Sequence, residues 1–404
     1  MVGKPRPAPY GDCVSADWDV VVVGAGPAGT AAALAARRAD PDSRVLLLDA
    51  AVFPRDKVCG DGIAPQAFDV LAGLGVDIDA LVAGTEPIDR LRLVSPGGVT
   101  AARRFARPAR VVPRLVFDAR LVQEAVAAGV VLEQGRVRTV DVDPDGAVID
   151  GVIRAGVVIG ADGAESVVRR QCGARPPRRG TVAIALRGYV PADDWPAGEQ
   201  LLAMTRAHWP AYAWAFPVGD GTVNVGYGEL IRSTPPSRAQ LTHRLHALLP
   251  SVAESASLRG HRLPLSPGRP AVGRGRVLLT GDAASLINPL TGEGIYYAVL
   301  SGALAGVAAA GDSPAASYRA AMHRALGRHL RHTDRLARLV RRPQLLDVGT
   351  AAAARSQSAF DRLTEIGLGA GTVDPQLIGA MVAELLPPRR VIRRGPGNNI
   401  GAML

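Results

Sequence analysis

Asp19 is followed by four valines, Val20 to Val23. Such an unbroken β-branched run marks a strand with both faces buried, as in a parallel sheet. A glycine-rich turn separates it from Ala28–Arg38, whose alanines and apolar spacing predict a helix. Arg44–Asp49 reads as a second apolar strand, so the chain opens β–turn–α–β. Apolar spacing predicts a further helix over Phe117–Ala128 and a small-residue helix over Ile295–Ala310. Val157–Gly160 and Arg276–Thr280 predict short strands, each leading into a Gly and an Asp. Residues 88–112 and 178–262 follow a different rule. They alternate apolar and polar positions, as in Thr222–Tyr227, and predict an antiparallel sheet that interrupts the parallel one. From about Ala315 the pattern is helical and basic, with Arg324, Arg328, Arg331, Arg335, Arg338, Arg341 and Arg342 mostly at three- and four-residue steps.

Composition narrows the classes. With 404 residues, 48% of them hydrophobic, the chain can bury a large core and form two or three structural units. A formal net charge of +10 favours an anionic partner: nucleic acid, a phosphorylated cofactor or an anionic membrane surface. Aromatics are 4% of the chain and do not interleave with basic residues, so no nucleic acid is expected. Cys13, Cys59 and Cys172 form no CxxC pair, which argues against a metal site and suits a reducing cytoplasm. The beginning of the sequence shows no secretory h-region, and the longest apolar stretch, Val20–Ala36, is broken by Gly24, Gly26, Pro27 and Gly29. A cytoplasmic protein is expected, with any lipid contact made peripherally at the inner face of the membrane. The histidines lack HxxxH spacing, and His329 and His332, three apart on the basic helix, are expected at the surface.

Gly24-Ala25-Gly26-Pro27-Ala28-Gly29 is a G-x-G-x-x-G between the first strand and the first helix. Its glycines serve the tight turn, the approach of backbone to a pyrophosphate, and close helix–strand packing. The helix N-terminus then faces the phosphates, and Pro27 suits its first turn. Asp49, followed by Ala50, ends the second strand, where a carboxylate accepts from ribose hydroxyls. The motif predicts a dinucleotide but leaves NAD and FAD open. Gly367-Leu368-Gly369-Ala370-Gly371 follows a helical stretch, not a strand, and is discounted as a second nucleotide site.

Two further motifs separate the cofactors. Gly160-Ala161-Asp162-Gly163 follows a strand and precedes Ser166–Arg169. Gly281-Asp282-Ala283-Ala284 follows another and is trailed by Pro289, Gly292, Glu293 and Gly294. With the first motif, these resemble the three fingerprints of the para-hydroxybenzoate hydroxylase-like flavoprotein superfamily. That resemblance implies FAD. It places Asp282 on the flavin ribityl chain and aims the helix starting at Ile295 at the isoalloxazine, where a helix N-terminus stabilises negative charge on the reduced ring.

Four segments carry a finer resemblance: Phe53-Pro54-Arg55-Asp56-Lys57-Val58-Cys59-Gly60-Asp61-Gly62, Arg114–Asp118, Tyr212-Ala213-Trp214-Ala215-Phe216-Pro217 with Asn224-Val225-Gly226, and Asn288–Tyr297. Over roughly residues 17–310 the chain resembles the geranylgeranyl reductase family, the prenyl reductases of archaeal lipid, chlorophyll and menaquinone metabolism. Asp61 departs from it, because many members carry a second Gly there. Pattern and resemblance together imply an α/β fold (α+β overall). A discontinuous Rossmann-like FAD-binding domain is expected over 17–87, 114–177 and 263–314, with an inserted antiparallel-sheet substrate domain over 88–113 and 178–262, and a C-terminal helical region over 315–404. The resemblance adds Cys59, Gly60 and Arg114 to the cofactor site. Lys57 and Arg55 beside Cys59 are expected to lower its pKa, although a lone cysteine is otherwise a small buried hydrophobe. Tyr212, Trp214 and Phe216 alternate on a strand and share one face, either a sheet core or the wall of an apolar tunnel over the flavin.

The implied function is a flavin-dependent reductase of isoprenoid double bonds in a lipid, quinone or diphosphate. NAD(P)H or ferredoxin would be the external reductant. A trisubstituted alkene is electron-rich, so protonation accompanies or precedes hydride addition, and aromatic walls stabilise the developing cation. Cys59, Tyr212 and water stay open as proton source, with Trp214 as the cation-facing ring. The alternative is an FAD-dependent monooxygenase or halogenase; Tyr212–Pro217 is similar to the Trp-x-Trp-x-Ile-Pro of flavin halogenases, which need a separate lysine. A non-catalytic flavin or lipid carrier ranks below both, because three site motifs are intact. Partners are a prenylated substrate and an anionic membrane surface, met by the arginine-rich helix and by Arg389, Arg390, Arg393 and Arg394. The oligomeric state is open, with a monomer the simplest case.

Overall fold

The computed structural model describes residues 17–177, 180–193, 195–252 and 257–385. The first part contains β1 (Trp18–Val23), α1 (Pro27–Ala39), β2 (Val45–Asp49), β3 (Gly62–Ile63), α2 (Pro65–Gly73), α3 (Ile78–Val82), β4 (Pro87–Val94), β5 (Thr100–Val111), α4 (Arg114–Ala127), β6 (Val131–Gln134), β7 (Val140–Asp143), β8 (Gly146–Ile149), β9 (Ile153–Gly160) and α5 (Val167–Gln171). Then follow β10 (Val182–Pro191), β11 (Glu199–Met204), β12 (Ala211–Pro217), β13 (Thr222–Leu230), α6 (Arg238–Leu248), β14 (Arg259–Pro264), β15 (Gly273–Arg274), β16 (Val277–Leu279), α7 (Ile295–Ala309), α8 (Pro314–Leu339), α9 (Gln344–Arg355), α10 (Gln357–Leu368) and α11 (Pro375–Leu385).

The first sheet runs β15-β16-β9-β1-β2-β6, and β1 lies parallel to both β2 and β9. Its central strands are buried on both faces, as the valine and leucine runs require; Val21, Val22, Leu46, Leu47 and Leu48 are fully enclosed. Helix α1 packs directly on α7. A Cβ built at Gly302 would stand 2.1 Å from the Ala28 carbonyl oxygen, and one at Gly306 2.2 Å from that of Ala32. Glycine at these two places lets the helix backbones touch, which brings the N-termini of α1 and α7 to the same crevice.

The second sheet runs β14-β10-β13-β12-β11-β4-β5-β3 and is antiparallel except where β11 meets β4. Strand β12 divides its side chains by parity. Ala211, Ala213 and Ala215 pack towards Leu241 and Leu245 of α6, leaving Tyr212, Trp214 and Phe216 on the opposite face. The two-residue β3, within the expected segment 17–87, pairs with β5 and ties the loop after β2 to this sheet. Helices α8 to α11 roof the crevice between the sheets, with Phe360 of α10 and Ala353 of α9 packed on Leu91 and Ala101.

One surface expectation fails. His329 is 2% exposed, on the buried face of α8 with Met322, Leu326, Leu330 and Thr333. Its Nδ1 meets the Gly371 carbonyl at 2.7 Å and its Nε2 the Tyr297 hydroxyl at 2.9 Å, so hydrogen bonding offsets its burial.

Candidate cofactor and substrate site

Site geometry starts at the first βα turn. Gly24 has φ +101°, and a Cβ at Gly29 would stand 1.7 Å from the Gly24 carbonyl oxygen, so neither position accepts a side chain. Gly26 is different. Its Cβ would meet only the guanidinium groups of Arg55 and Arg114, at 3.6 and 3.7 Å. The N-terminus of α1 has no side-chain cap and no acid in its first turn, so its N–H groups are free for an anion. Asp118 fixes both cations, taking Arg114 at 2.6 and 2.8 Å and Arg55 at 2.9 Å. Asp49 accepts from the Ala25 N–H at 2.8 Å and the Ala51 N–H at 2.9 Å, which holds its carboxylate at the end of β2. A bare backbone cradle, an uncapped helix and two anchored cations fit the diphosphate of FAD.

The other two motifs diverge in role. Asp162 turns into its own loop, accepting from the Ser166 hydroxyl at 2.5 Å and the Val167 and Val168 N–H groups at 2.6 and 3.1 Å. Asp282 faces the cavity and meets Lys57 Nζ at 3.3 Å. Burial of Asp282 opposes ionisation, but Lys57, then His261, outweigh it and hold its carboxyl below the usual range. The residue before α7, Gly294, offers no side-chain cap, and Glu293 Oε1 accepts from the Tyr296 N–H at 2.8 Å in the first turn.

A cavity of about 950 Å³ joins these pieces. It brings together Gly26, Ala28, Cys59, Gly60, Arg114, Gly163, Asp282, Pro289, Gly292, Gly294 and Ile295 with Tyr212 and Trp214. Gly24, Gly29, Asp49, Ala50, Asp162 and Gly281 do not line it; the first two and Asp162 shape the turns. Past the flavin motifs the cavity is lined by Tyr212, Trp214 and Phe216 and then by Leu336, Leu345, Leu363, Leu377 and Met381 of the roof. Neighbouring rings of the aromatic wall are 6.0 and 6.5 Å apart. Tyr212 donates to the Thr291 carbonyl at 2.5 Å, and Trp214 to Asn224 Oδ1 at 2.8 Å.

Cys59 does not have the environment expected of it. Lys57 turns to Asp282, and Arg55 to Asp49 and Asp118, so neither neighbour activates the thiol. Burial pushes the Cys59 thiol up; Arg114 opposes this and is outweighed. The sequence reading also missed several residues. Arg55 and Asp118 complete the cradle. Asn224 donates to the Cys59 carbonyl at 2.9 Å and to Asp61 at 2.7 Å, and so links the cysteine loop to Trp214. Glu293 lines the cavity at the start of α7; burial pushes its carboxyl up to about 7, although the N–H groups of Tyr296 and Ile295 favour ionisation. Among the described residues no cluster of three His, Cys, Asp or Glu side chains could hold a metal ion.

Comparison with known proteins gives the same picture. Residues 17–306 match the family model described as FAD binding domain. A menaquinone reductase of Mycobacterium tuberculosis is 35% identical over 317 residues, spanning 71% of this chain and 75% of its own. Digeranylgeranylglycerophospholipid reductase 2 of Methanopyrus kandleri is 34% identical over 322 residues, 73% of this chain and 77% of its own. The crystal structure of a geranylgeranyl bacteriochlorophyll reductase-like protein from Thermoplasma acidophilum superposes with a TM-score of 0.75 at 21% identity, covering 91% of this chain and 96% of that one; at that identity it supports the fold.

Proposed function

This chain belongs to the geranylgeranyl reductase family of FAD-binding proteins, and on that premise we propose that it saturates isoprenoid carbon–carbon double bonds of a prenylated quinone or lipid. The observation that carries this reading is the continuity of the cavity, from the Gly26 cradle past the aromatic wall into the apolar roof. Bound FAD, once reduced by NAD(P)H or ferredoxin, supplies the hydride. The protein holds the rest. Arg55 and Arg114 anchor the diphosphate, Asp282 takes the ribityl hydroxyls, and the N-terminus of α7 favours negative charge on the ring. Tyr212, Trp214 and Phe216 align the prenyl chain and stabilise cationic character on its tertiary carbon. The leucines of the roof exclude water.

Dithionite-reduced enzyme offered a prenylated menaquinone is expected to raise the product's mass by one hydrogen molecule per reduced bond. A substrate pool of unchanged mass overturns the reading. Oxygen consumption matched by hydroxylated product supports the monooxygenase instead. Lys57 is the lone lysine among the described residues and is paired with Asp282, which leaves no separate lysine for halogenation.

We also propose that the substrate comes from a membrane that meets the C-terminal helices. No helix among the described residues is long and apolar enough to cross a membrane. Arg324, Arg328, Arg335 and Arg338 are exposed along one side of α8, opposite its buried face, while Arg331 is half-buried. Arg338 pairs with Asp334, which discounts one charge. Helix α11 adds an apolar stripe at i, i+4 and i+7: Ile378, Val382 and Leu385 are 51%, 46% and 65% exposed. On the adjacent face of α11, Leu377 and Met381 line the cavity. Arg389, Arg390, Arg393 and Arg394 lie outside the described residues. Each basic residue near an anionic surface contributes on the order of 1 kcal/mol, screened by salt. Sedimentation is expected to show binding to anionic vesicles that weakens at high salt. Equal binding to neutral vesicles at every salt concentration, or none, removes this docking face.

A further inference from the structure

We propose that Glu293 is the acid that gives its proton to the alkene as the double bond is saturated. The proposal rests on the reductase reading and goes beyond it by assigning the proton donor. Glu293 stands at the junction of the two halves of the cavity. Its neighbour Gly292 abuts the aromatic wall, since a Cβ there would lie 2.6 Å from the Tyr212 hydroxyl. Its other neighbour, Gly294, abuts the flavin motif, since a Cβ there would lie 3.9 Å from Asp282 Oδ1. An acid placed here lies between the groups that would hold the cofactor and those that would hold the alkene.

The side chain has one open oxygen. Glu293 is half-buried and lines the cavity. Oε1 accepts from the Tyr296 N–H at 2.8 Å. Oε2 has no hydrogen-bond partner among the described residues, and it keeps accessible surface. The acid form therefore needs no rearrangement: Oε1 stays on the helix, and Oε2 carries the proton into the cavity. No arginine, lysine or histidine among the described residues pairs with the carboxyl. An unpaired carboxylate in an apolar wall is costly, and the neutral acid avoids that cost. Burial accordingly raises Glu293 to about 7, against the N–H groups of Tyr296 and Ile295. Tyr212 of β12 and Tyr297 of α7 are the titratable groups that feel its charge, and burial keeps both phenols protonated well above that pH. An acid poised near neutral pH can both give up its proton and regain it.

The other carboxyls of the cavity wall are committed elsewhere. Asp282 pairs with Lys57 and is held below the usual range. Glu229 takes Arg244 at 2.5 Å and the Tyr227 hydroxyl at 2.9 Å. Asp334 pairs with Arg338. Asp61 is fully buried, and its one oxygen without a partner is enclosed. Tyr212 gives its hydroxyl proton to the Thr291 carbonyl at 2.5 Å, and burial makes the Cys59 thiol a weaker acid. In the step itself, the alkene π pair forms a C–H bond to the Glu293 proton, and the O–H bond breaks to leave a carboxylate. Hydride from the reduced flavin brings its electron pair to the other carbon, and the flavin is oxidised. Bulk water returns a proton to Oε2 as product leaves.

Glu293→Gln tests this with the helix contact kept, because the amide oxygen still accepts from the Tyr296 N–H while the acid is gone. Asp61, raised to about 6, is the neighbouring carboxyl to tell apart from it. Infrared difference spectra of the FAD-loaded enzyme across pH 7 are expected to show a protonated-carboxyl band in the wild type and in Asp61→Asn that Glu293→Gln lacks. Reoxidation of pre-reduced Glu293→Gln by prenylated menaquinone is expected to be at least about a hundredfold slower, the usual lower range for a lost general acid. The wild-type rate should fall as pH rises through about 7, where the acid loses its proton, and this fall should be absent from the variant. FAD affinity and thermal unfolding should stay at wild-type values. A wild type without that band overturns the proposal whatever the stability of the variant. A band, or a fall in rate, that survives in Glu293→Gln overturns it too, as does reoxidation within about twofold of wild type. Wild-type enzyme that leaves prenylated substrate unchanged while the band is present overturns the reductase reading instead, and the delivery role with it.

Discussion

Gly29→Ala is expected to yield a destabilised protein that has lost FAD, whereas Gly26→Ala should yield a stable protein that has lost FAD. The two glycines are three residues apart in one motif, and the difference is geometric. A methyl group at Gly29 would stand 1.7 Å from the Gly24 carbonyl oxygen, which is backbone and cannot swing aside. The α1 helix would have to lift off the turn. Overpacking of this kind costs about 1–3 kcal/mol or more, and 3 kcal/mol corresponds to roughly a hundredfold in affinity if it falls on the bound state. At Gly26 the added methyl meets ordinary contacts at 3.6 and 3.7 Å, and the backbone there has a negative φ that alanine adopts freely. That methyl points into the space between Arg55 and Arg114 where the diphosphate belongs. Thermal unfolding of the two apoproteins separates the cases. A Gly29→Ala protein as stable as wild type, or a Gly26→Ala protein that keeps full FAD affinity, contradicts the placement of the diphosphate.

Most of the cradle was legible because it is local. The strand, the turn and the helix of the first motif lie within β1 and α1, and their periodicities read off directly. The aromatic wall was legible for the same reason. Alternation along β12 separates Tyr212, Trp214 and Phe216 from three alanines, and the small residues on one side mark the face that packs on α6. His329 could have been placed too, since Met322, Leu326, Leu330 and Thr333 recur at its helical spacing and only one face of α8 can be buried. The Ser237 to Gln240 capping box that starts α6 was equally available, inside a stretch read wholly as sheet.

What the sequence hid is the long-range pairing of charged groups. Cys59 was read through its chain neighbours Lys57 and Arg55, but adjacency does not set side-chain direction. Arg55 bonds Asp118 across 63 positions and Lys57 bonds Asp282 across 225. Tyr189 and Asn224 reach Asp61 across 128 and 163 positions. The last two bonds exist because β3 draws the cysteine loop onto the second sheet. A two-residue strand carries no periodicity from which that pairing could be inferred.

The same distinction between local and cavity-facing groups sets the effect of removing each motif aspartate. Asp282→Ala is expected to weaken FAD binding about ten- to a hundredfold, and Asp162→Ala to leave it within a few-fold of wild type. The Asp282 carboxylate bonds only to Lys57 among the described side chains and faces the cavity beside His261. Its loss removes a charged acceptor for the ribityl hydroxyls, worth about 1.5–3 kcal/mol, and little of the fold depends on it. Asp162 spends its oxygens on the Ser166 hydroxyl and two N–H groups at the start of α5, and stands outside the cavity lining. Its loss resembles the loss of a helix cap, about 1 kcal/mol of stability. Titrating FAD into each apoprotein by fluorescence, with thermal unfolding alongside, reads both quantities. Asp282→Ala should bind weakly while melting near wild type, and Asp162→Ala should melt early while binding well. Wild-type affinity in Asp282→Ala would remove that residue from the ribityl chain, and a larger affinity loss in Asp162→Ala would exchange the two roles.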